Sequence, residues 1–178
     1  MTIKRIAIDS IFLALLIVSS YISIPLSDIS LTLQVLVVLL LALILPFIDA
    51  EIIIIVYIVM GLFGIPVFST FSAGFSKIFT PSFGFILSFI FVPIIVKLLS
   101  KLKIKSETLK TLLISFIALI VIYLIGIMYL FVIRSVYEVN ILSFIVVTVL
   151  PLLPFDIIKV FLVCFITKKL KPILERIS

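Results

Sequence analysis

The 178-residue sequence contains no histidine, no tryptophan and a single cysteine, Cys164. Without histidine there is no imidazole to act as a general base or metal ligand, so hydrolytic chemistry built on a Cys–His or Ser–His–Asp arrangement is excluded. One cysteine excludes a disulfide within the chain. Charge is also scarce: Asp, Glu, Lys and Arg make up 12% of the residues, about half the roughly 25% usual in soluble domains. Hydrophobic residues fill the space instead, at 65% of the chain and a mean hydropathy of +1.61. A soluble core of this size could not hide so much apolar side chain, so lipid must solvate much of it. Each bilayer-spanning helix needs roughly 20 apolar residues, which leaves room for about six spans with short connections and for no soluble domain. The sequence therefore reads as an integral membrane protein forming one transmembrane domain over residues 1–178.

Apolar runs broken by charge, Pro and Gly predict six spans: 6–24, 31–48, 52–65, 81–99, 111–132 and 153–170. The first stops at Pro25, and a polar turn through Ser27 and Asp28 leads into the second. Asp49 and Glu51 mark a tight second connection, a lysine-rich segment from Lys97 to Lys110 the fourth, and Arg134 to Asn140 a last polar interval. Eleven of the fourteen Lys and Arg residues lie before the first span, from the end of the fourth span to the start of the fifth, or from the end of the sixth span onward. Basic residues stay cytoplasmic during insertion, so an even span count with both termini cytoplasmic puts all eleven on one side. The net charge of +6 then reports topology and anionic headgroups rather than nucleic acid. Lys4 and Arg5 followed by Ile6 to Val18 imitate a signal peptide, but no A-x-A-like cleavage site follows, and the segment reads as a retained first helix. The predicted fold is all-α, a polytopic bundle of six transmembrane helices.

In so apolar a chain the informative residues are ionisable groups inside spans and irregular backbone at membrane depth. Asp156 and Lys159 follow Pro154 and Phe155; three residues apart on a helix, they share one face and their heads can meet. Intramembrane charges cost several kcal/mol unless paired or hydrated, and they usually face the bundle interior or a cavity. Two readings fit: a neutralising ion pair near the interface, or a grip on a polar ligand. The segment from Gly61 to Gly84 holds four of the five glycines with Pro66 and Pro81, and six phenylalanines from Phe68 to Phe85 lie just beyond Pro66. Non-helical backbone at this depth must pack in protein or line a cavity, so the segment reads as a lid or wall over a pocket, or as an aromatic loop that packs the helices. Thr32 and Gln34 open the second span and Tyr57 sits in the third. Ser10 and Ala14 form a small-xxx-small pair that lets another helix approach. Asp9 beside them is expected to be hydrated, and Cys164 to be plain packing.

These residues, in this order, resemble the BioY family, the biotin-specific substrate-binding (S) components of energy-coupling-factor (ECF) transporters. The resemblance rests on Leu31-Thr32-Leu33-Gln34 after a Pro-bearing turn, on Tyr57, Gly61, Gly64, Pro66, Val67 and Phe68 in a Tyr-x-x-x-Gly-x-x-Gly-x-Pro-Val-Phe stretch, and on a compact form of the closing Pro-Phe…Asp-x-x-Lys motif at Pro154 to Lys159. It covers nearly the whole chain. Where the family has Gly-Pro-Thr-Gly-Gly-Tyr, the chain reads Thr80-Pro81-Ser82-Phe83-Gly84-Phe85, so one pocket glycine is phenylalanine and the tyrosine lacks its hydroxyl.

The resemblance implies a six-helix S component in the cell membrane of a prokaryote. Such a protein captures a vitamin at the outer face and is not an enzyme. It has no cofactor of its own, since ATP is hydrolysed only by partner subunits: it docks on a membrane-embedded coupling subunit served by two cytoplasmic ATPases. The implied ligand is biotin or a related small molecule. Asp156 suits the ureido N–H donors of biotin, and Lys159 suits its carbonyl or valerate carboxylate, as charge-assisted bonds in a dry pocket. Gln34, Tyr57, Phe68, Gly74, Ser82 and Phe85 are the further candidate substrate contacts, with the loop aromatics enclosing the thioether ring. Ser10 and Ala14 are the candidate contacts to the coupling subunit. The alternatives are an S component for another vitamin or small metabolite, which the Phe83 and Phe85 departures favour, a membrane enzyme acting on lipids, and a purely structural membrane subunit.

Overall fold

A computed structural model describes residues 3–25, 29–137 and 141–177; the Asp28 part of the first turn and residues 138–140 of the last polar interval lie outside them. The chain is a bundle of helices, and its boundaries follow local chemistry. Helix α1 (Ile3–Tyr21) ends four residues before Pro25. An antiparallel ribbon of β1 (Ser23–Pro25) and β2 (Ser30–Thr32) then intervenes, with Ser23 opposite Thr32. This ribbon was not legible as a strand pair in the sequence, which predicted only a polar turn between two helical spans there. Three-residue strands carry too little alternation to register, and the ribbon is held by contacts from elsewhere. The Leu33 amide, for example, donates to the Ser19 carbonyl at 3.2 Å.

Helix α2 (Gln34–Ile44) has only eleven residues, about 17 Å at 1.5 Å per residue. That is little more than half of the roughly 30 Å hydrocarbon thickness, so the second predicted span divides into ribbon, short helix and turn. The helix is the axis of the bundle: eight of its residues are buried, and it packs on α1, α3, α5, α6 and α8 once those are laid around it. Pro46 stops it. The residue before a proline is steered out of the helical region, and Leu45 is extended at φ −85°, ψ 156°, which turns the chain straight into α3 (Phe47–Leu62).

Residues 63–82 between α3 and the next helix contain two 3-10 turns, Ser69–Phe71 and Phe75–Phe79, as the glycines and prolines led one to expect. Helices α4 (Phe83–Ser88) and α5 (Phe91–Leu99) form the fourth apolar helix with a break at Phe89 and Ile90. Pro93 explains the break, since a proline removes an amide donor and crowds the carbonyl four residues earlier, here Phe89. Helix α6 (Glu107–Tyr137) is followed by α7 (Ile141–Phe144). A π turn (Ile145–Val149) and a 3-10 turn (Leu150–Leu152) then lead into α8 (Leu153–Ile177). Among the described residues, two helical stretches, Glu107–Ile133 and Ile145–Ile173, are long and apolar enough to cross a membrane. Outward positions such as Ile120, Leu124, Phe161 and Phe165 are more than half exposed, the pattern of helices solvated by lipid.

One end of the bundle gathers charge. Arg5 forms a two-pronged bond to Asp49, with both N···O distances at 2.5 Å, and Asp49 is 1% exposed. Lys97 lies 3.9 Å above the ring of Phe47. Asp9, expected to be hydrated, is half-buried: its Oδ1 is buried with no hydrogen-bond partner among the described residues. Cys164 is buried, its thiol 3.6 Å from the Thr108 carbonyl, in keeping with packing.

The chain turns back from α3 by letting the Phe68 ring lie on Gly61, where an added Cβ would come within 2.1 Å of the ring. Forcing atoms into a filled space of this kind typically costs about 1–3 kcal/mol. Gly61→Val is therefore expected to lower the midpoint of thermal unfolding in detergent, whereas valine at the exposed Ala14 leaves it unchanged.

Candidate ligand-binding site

The site begins with two residues of α8. Asp156 and Lys159 meet side by side, Nζ to Oδ1 at 2.5 Å, each residue 5% exposed. Burial of such a pair is favourable only when further hydrogen bonds satisfy what remains, and two other elements supply them. The Tyr123 hydroxyl on α6 donates to Asp156 Oδ2 at 2.6 Å. Lys159 Nζ donates to the Thr32 carbonyl on β2 at 2.6 Å. The ammonium has three protons and the carboxylate about four lone-pair sites. The protein thus engages two protons and two lone pairs, and one proton and the other lone pairs stay available at a cavity wall.

The cavity lies between the ribbon, α2, α4, α6 and α8. Its polar lining comprises Ser30, Thr32, Gln34, Ser69, Ser82, Tyr123 and the Asp156–Lys159 pair, and Leu31, Ile86, Phe89 and Leu152 are among the apolar walls. It holds about 50 Å³, or about 520 Å³ of empty space with its open mouth included. One water needs about 10–15 Å³ of such space, so the enclosed part has room for several waters and opens into a wider mouth. Few polar groups set in apolar walls is the usual make-up of a site that binds small molecules.

Of the residues singled out in the sequence, Asp156, Lys159, Gln34, Ser82 and Phe85 reach this lining. Phe85 packs edge-on against Tyr123, with centroids 5.8 Å apart. Tyr57, Phe68 and Gly74 do not reach it. Tyr57 is fully buried one layer behind: it accepts from Gln34 Nε2 at 2.5 Å and donates to the Val67 carbonyl at 3.0 Å. Phe68, 1% exposed, stands edge-on to Tyr57 at 5.6 Å. Gly74 adopts φ +99°, a conformation open to glycine, and ties the loop to α3 through its amide on the Gly61 carbonyl at 2.7 Å. These three shape the wall from behind rather than line it. The loop phenylalanines expected to enclose a ligand face outward instead, with Phe71, Phe75 and Phe79 all more than half exposed.

Gln34 is held from both sides, since Thr32 Oγ1 donates to its Oε1 at 2.9 Å while its Nε2 serves Tyr57. Val67 accepts a second bond from Ser20 Oγ at 2.6 Å. A buried polar chain therefore runs from the ribbon through α2 and α3 to the start of the loop. Phe83, the residue in place of a glycine, packs on Tyr129 at 6.0 Å and stays off the lining. The sequence reading missed Tyr123, Ser69 and the Thr32 carbonyl. Tyr123 had a signal, a hydroxyl in the middle of an otherwise apolar span. Nothing in the sequence points to a backbone carbonyl 127 positions from its lysine.

Fold and site together define a helical membrane protein with a buried, charge-bearing small-molecule cavity. The chain belongs to the BioY family, whose pattern it matches over residues 1–176. It is 33% identical over 162 residues to the biotin transporter BioY of Thermotoga maritima, covering 90% of this chain and 92% of that protein. It is 36% identical over 130 residues to a probable biotin transporter BioY of Pyrococcus horikoshii, covering 73% of this chain and 76% of that one. The fold matches the crystal structure of the S-component for biotin from an ECF-type ABC transporter with a TM-score of 0.84, at 22% identity over 97% of this chain and 95% of the other. The curated relatives are named as transporters, not enzymes.

A hydrogen bond to a charged group contributes about 1.5–3 kcal/mol. Tyr123→Phe removes the donor to Asp156 and little else, so it is expected to reduce stability by that order in thermal or denaturant unfolding. Tyr21→Phe, whose hydroxyl donates to Pro66 at the exposed rim at 2.6 Å, is expected to cost clearly less.

Proposed function

We propose that the chain is the S component of an ECF-type importer and captures biotin at the outer face for ATP-driven uptake by a partner energising module. The observation that carries this reading is the Asp156–Lys159 pair: buried, met among the described residues by one further protein atom each, and set in the wall of a small cavity. Biotin presents two ureido N–H donors, an accepting ureido carbonyl, an apolar thioether ring and a valerate carboxylate. The Asp156 carboxylate complements the N–H donors, and the remaining ammonium proton of Lys159 complements the carbonyl or the valerate. Leu31, Ile86 and Phe89 supply apolar contact for the rings. The relatives' names support the same assignment.

On this reading the charged end of the bundle, with Arg5, Lys97 and the lysines around α5 and α6, lies in the cytosol together with both termini, and the ribbon end faces outward in a prokaryotic cell membrane. The chain carries no ATPase of its own. The energy comes from a membrane-embedded coupling subunit and two cytoplasmic ATPases. Ser10 and Ala14 are exposed on one face of α1, and Ser10 spends its hydroxyl on the Ile6 carbonyl at 2.8 Å. That face is smooth and free of polar demand, which suits close approach of a helix from the coupling subunit.

Isothermal titration of the purified protein tests the ligand. Biotin is expected to bind, and both Asp156→Asn and Lys159→Gln, which preserve shape, to lose measurable binding while keeping a cooperative unfolding transition. Binding retained in both variants would refute the assignment, and preference for another vitamin in a competition panel would move it to that ligand. For the docking face, Ala14→Phe is expected to leave biotin affinity unchanged and to stop uptake in cells that express the complete transporter.

A further inference from the structure

The loop between α3 and α4 is apolar in an unexpected direction. Phe63 is 85% exposed, Phe71 66%, Phe75 67% and Phe79 54%, although the segment borders a cavity that needs apolar walls. The outward placement is built in rather than incidental. Thr70 and Phe71 both take left-handed backbone conformations, φ 57° and 55°, an outlier for a bulky aromatic residue. The Phe71 ring is then stacked on Tyr21 at 4.4 Å, and the Tyr21 hydroxyl is bound to the Pro66 carbonyl. The loop backbone is tied internally and to α3 by Gly74 N to Gly61 O at 2.7 Å, Lys77 N to Gly74 O at 3.1 Å and Thr80 N to Lys77 O at 3.0 Å. A fixed platform therefore presents four phenylalanine rings.

We infer that this platform seats in the headgroup–acyl boundary of the bilayer leaflet at the ribbon end, with a phospholipid interface as its partner. Two constraints leave that depth and no other. Four exposed phenylalanines in one short, internally tied segment are costly in bulk water. Irregular backbone is excluded from lipid-exposed positions in the hydrocarbon. The interface tolerates both, since apolar side chains there bury about 5–10 Å deep while polar groups remain hydrated. Charge agrees: Lys77 is the single charged residue between Glu51 and Lys97 and can face a lipid phosphate, and no acidic side chain in that interval opposes it. The surface is also continuous with the outward stripe of α3, where Ile52, Ile55, Val56 and Val59 are exposed and lead directly to Phe63. The inference rests on the membrane assignment but not on the identity of the ligand.

The chain has no tryptophan, so Phe75→Trp and Phe79→Trp each carry one fluorophore, and both substitutions sit at exposed positions that should not disturb folding. In phosphatidylcholine vesicles, bromines near the headgroup end of the acyl chain are expected to quench both variants more strongly than bromines near the methyl end or aqueous iodide on both sides. Ile120→Trp, at an exposed site halfway along α6, is expected to show the reverse order of the two bromolipids. Stronger quenching by iodide would place the loop in water and overturn the inference, as would strongest quenching by methyl-end bromines. So would shielding from all three quenchers, or loss of lipid quenching when biotin is added, which would make the aromatics a cover over the ligand. Failure of Ile120→Trp to meet either bromolipid would instead sink the membrane assignment itself.

Discussion

Placing an ammonium and a carboxylate in an apolar bundle is the constraint around which the rest of the site is arranged. Desolvating the pair is costly, and its mutual attraction repays that only if the remaining donors and acceptors are satisfied. Helix α8 supplies both charges, and the partners that complete them lie on other elements. The completion comes from Tyr123 on α6 and from the Thr32 carbonyl on the ribbon. The carbonyl beside the Lys159 head is one that the ribbon presents from outside any helix, so the pair of three-residue strands takes part directly in the site.

The polar groups fall into two tiers with different work. Those on the cavity wall, Asp156, Lys159, Gln34, Tyr123 and Ser82, can meet a ligand. Behind them, Tyr57, Ser20 and the Val67 carbonyl fix Gln34 and anchor the start of the loop. A side chain held by partners on both sides loses little freedom when a ligand arrives, and preorganisation of this kind is a general route to tight binding. The aromatic residues divide in the same way: Phe68 and Phe83 pack the interior, while Phe71, Phe75 and Phe79 turn outward. In a bilayer both placements are comfortable, because lipid accepts the rings that the core does not.

Much of this was legible in the residues themselves. Long apolar runs announced the helices, and charge clusters announced one end of the bundle. A carboxylate and an ammonium three positions apart in an apolar run announced the site. The misreadings share one physical origin. Tyr57, Phe68 and Gly74 belong to the motif that marks the site, and a motif does not say which of its members touch the cavity and which support those that do. The phenylalanines after Pro66 looked like a cover because hydrophobic residues near a pocket usually line it. The direction of Phe71 goes with left-handed backbone at Thr70 and Phe71, which neither residue type favours and which the stacking on Tyr21 and the hydrogen bonds across the Phe68–Ser72 turn accompany.

The amino-acid sequence by itself determined the solvent, the helical class and the chemical nature of the grip. These follow from composition and from spacing along a single helix, both of which are local. Only the tertiary structure decided that α2 is a short buried axis and that Lys159 reaches a strand carbonyl. It alone decided that Tyr123 completes Asp156 and that the aromatic loop faces away from the cavity. Each of these depends on groups far apart in the chain meeting at hydrogen-bonding or van der Waals distance, and no periodicity or residue preference encodes such a meeting before the helices have packed.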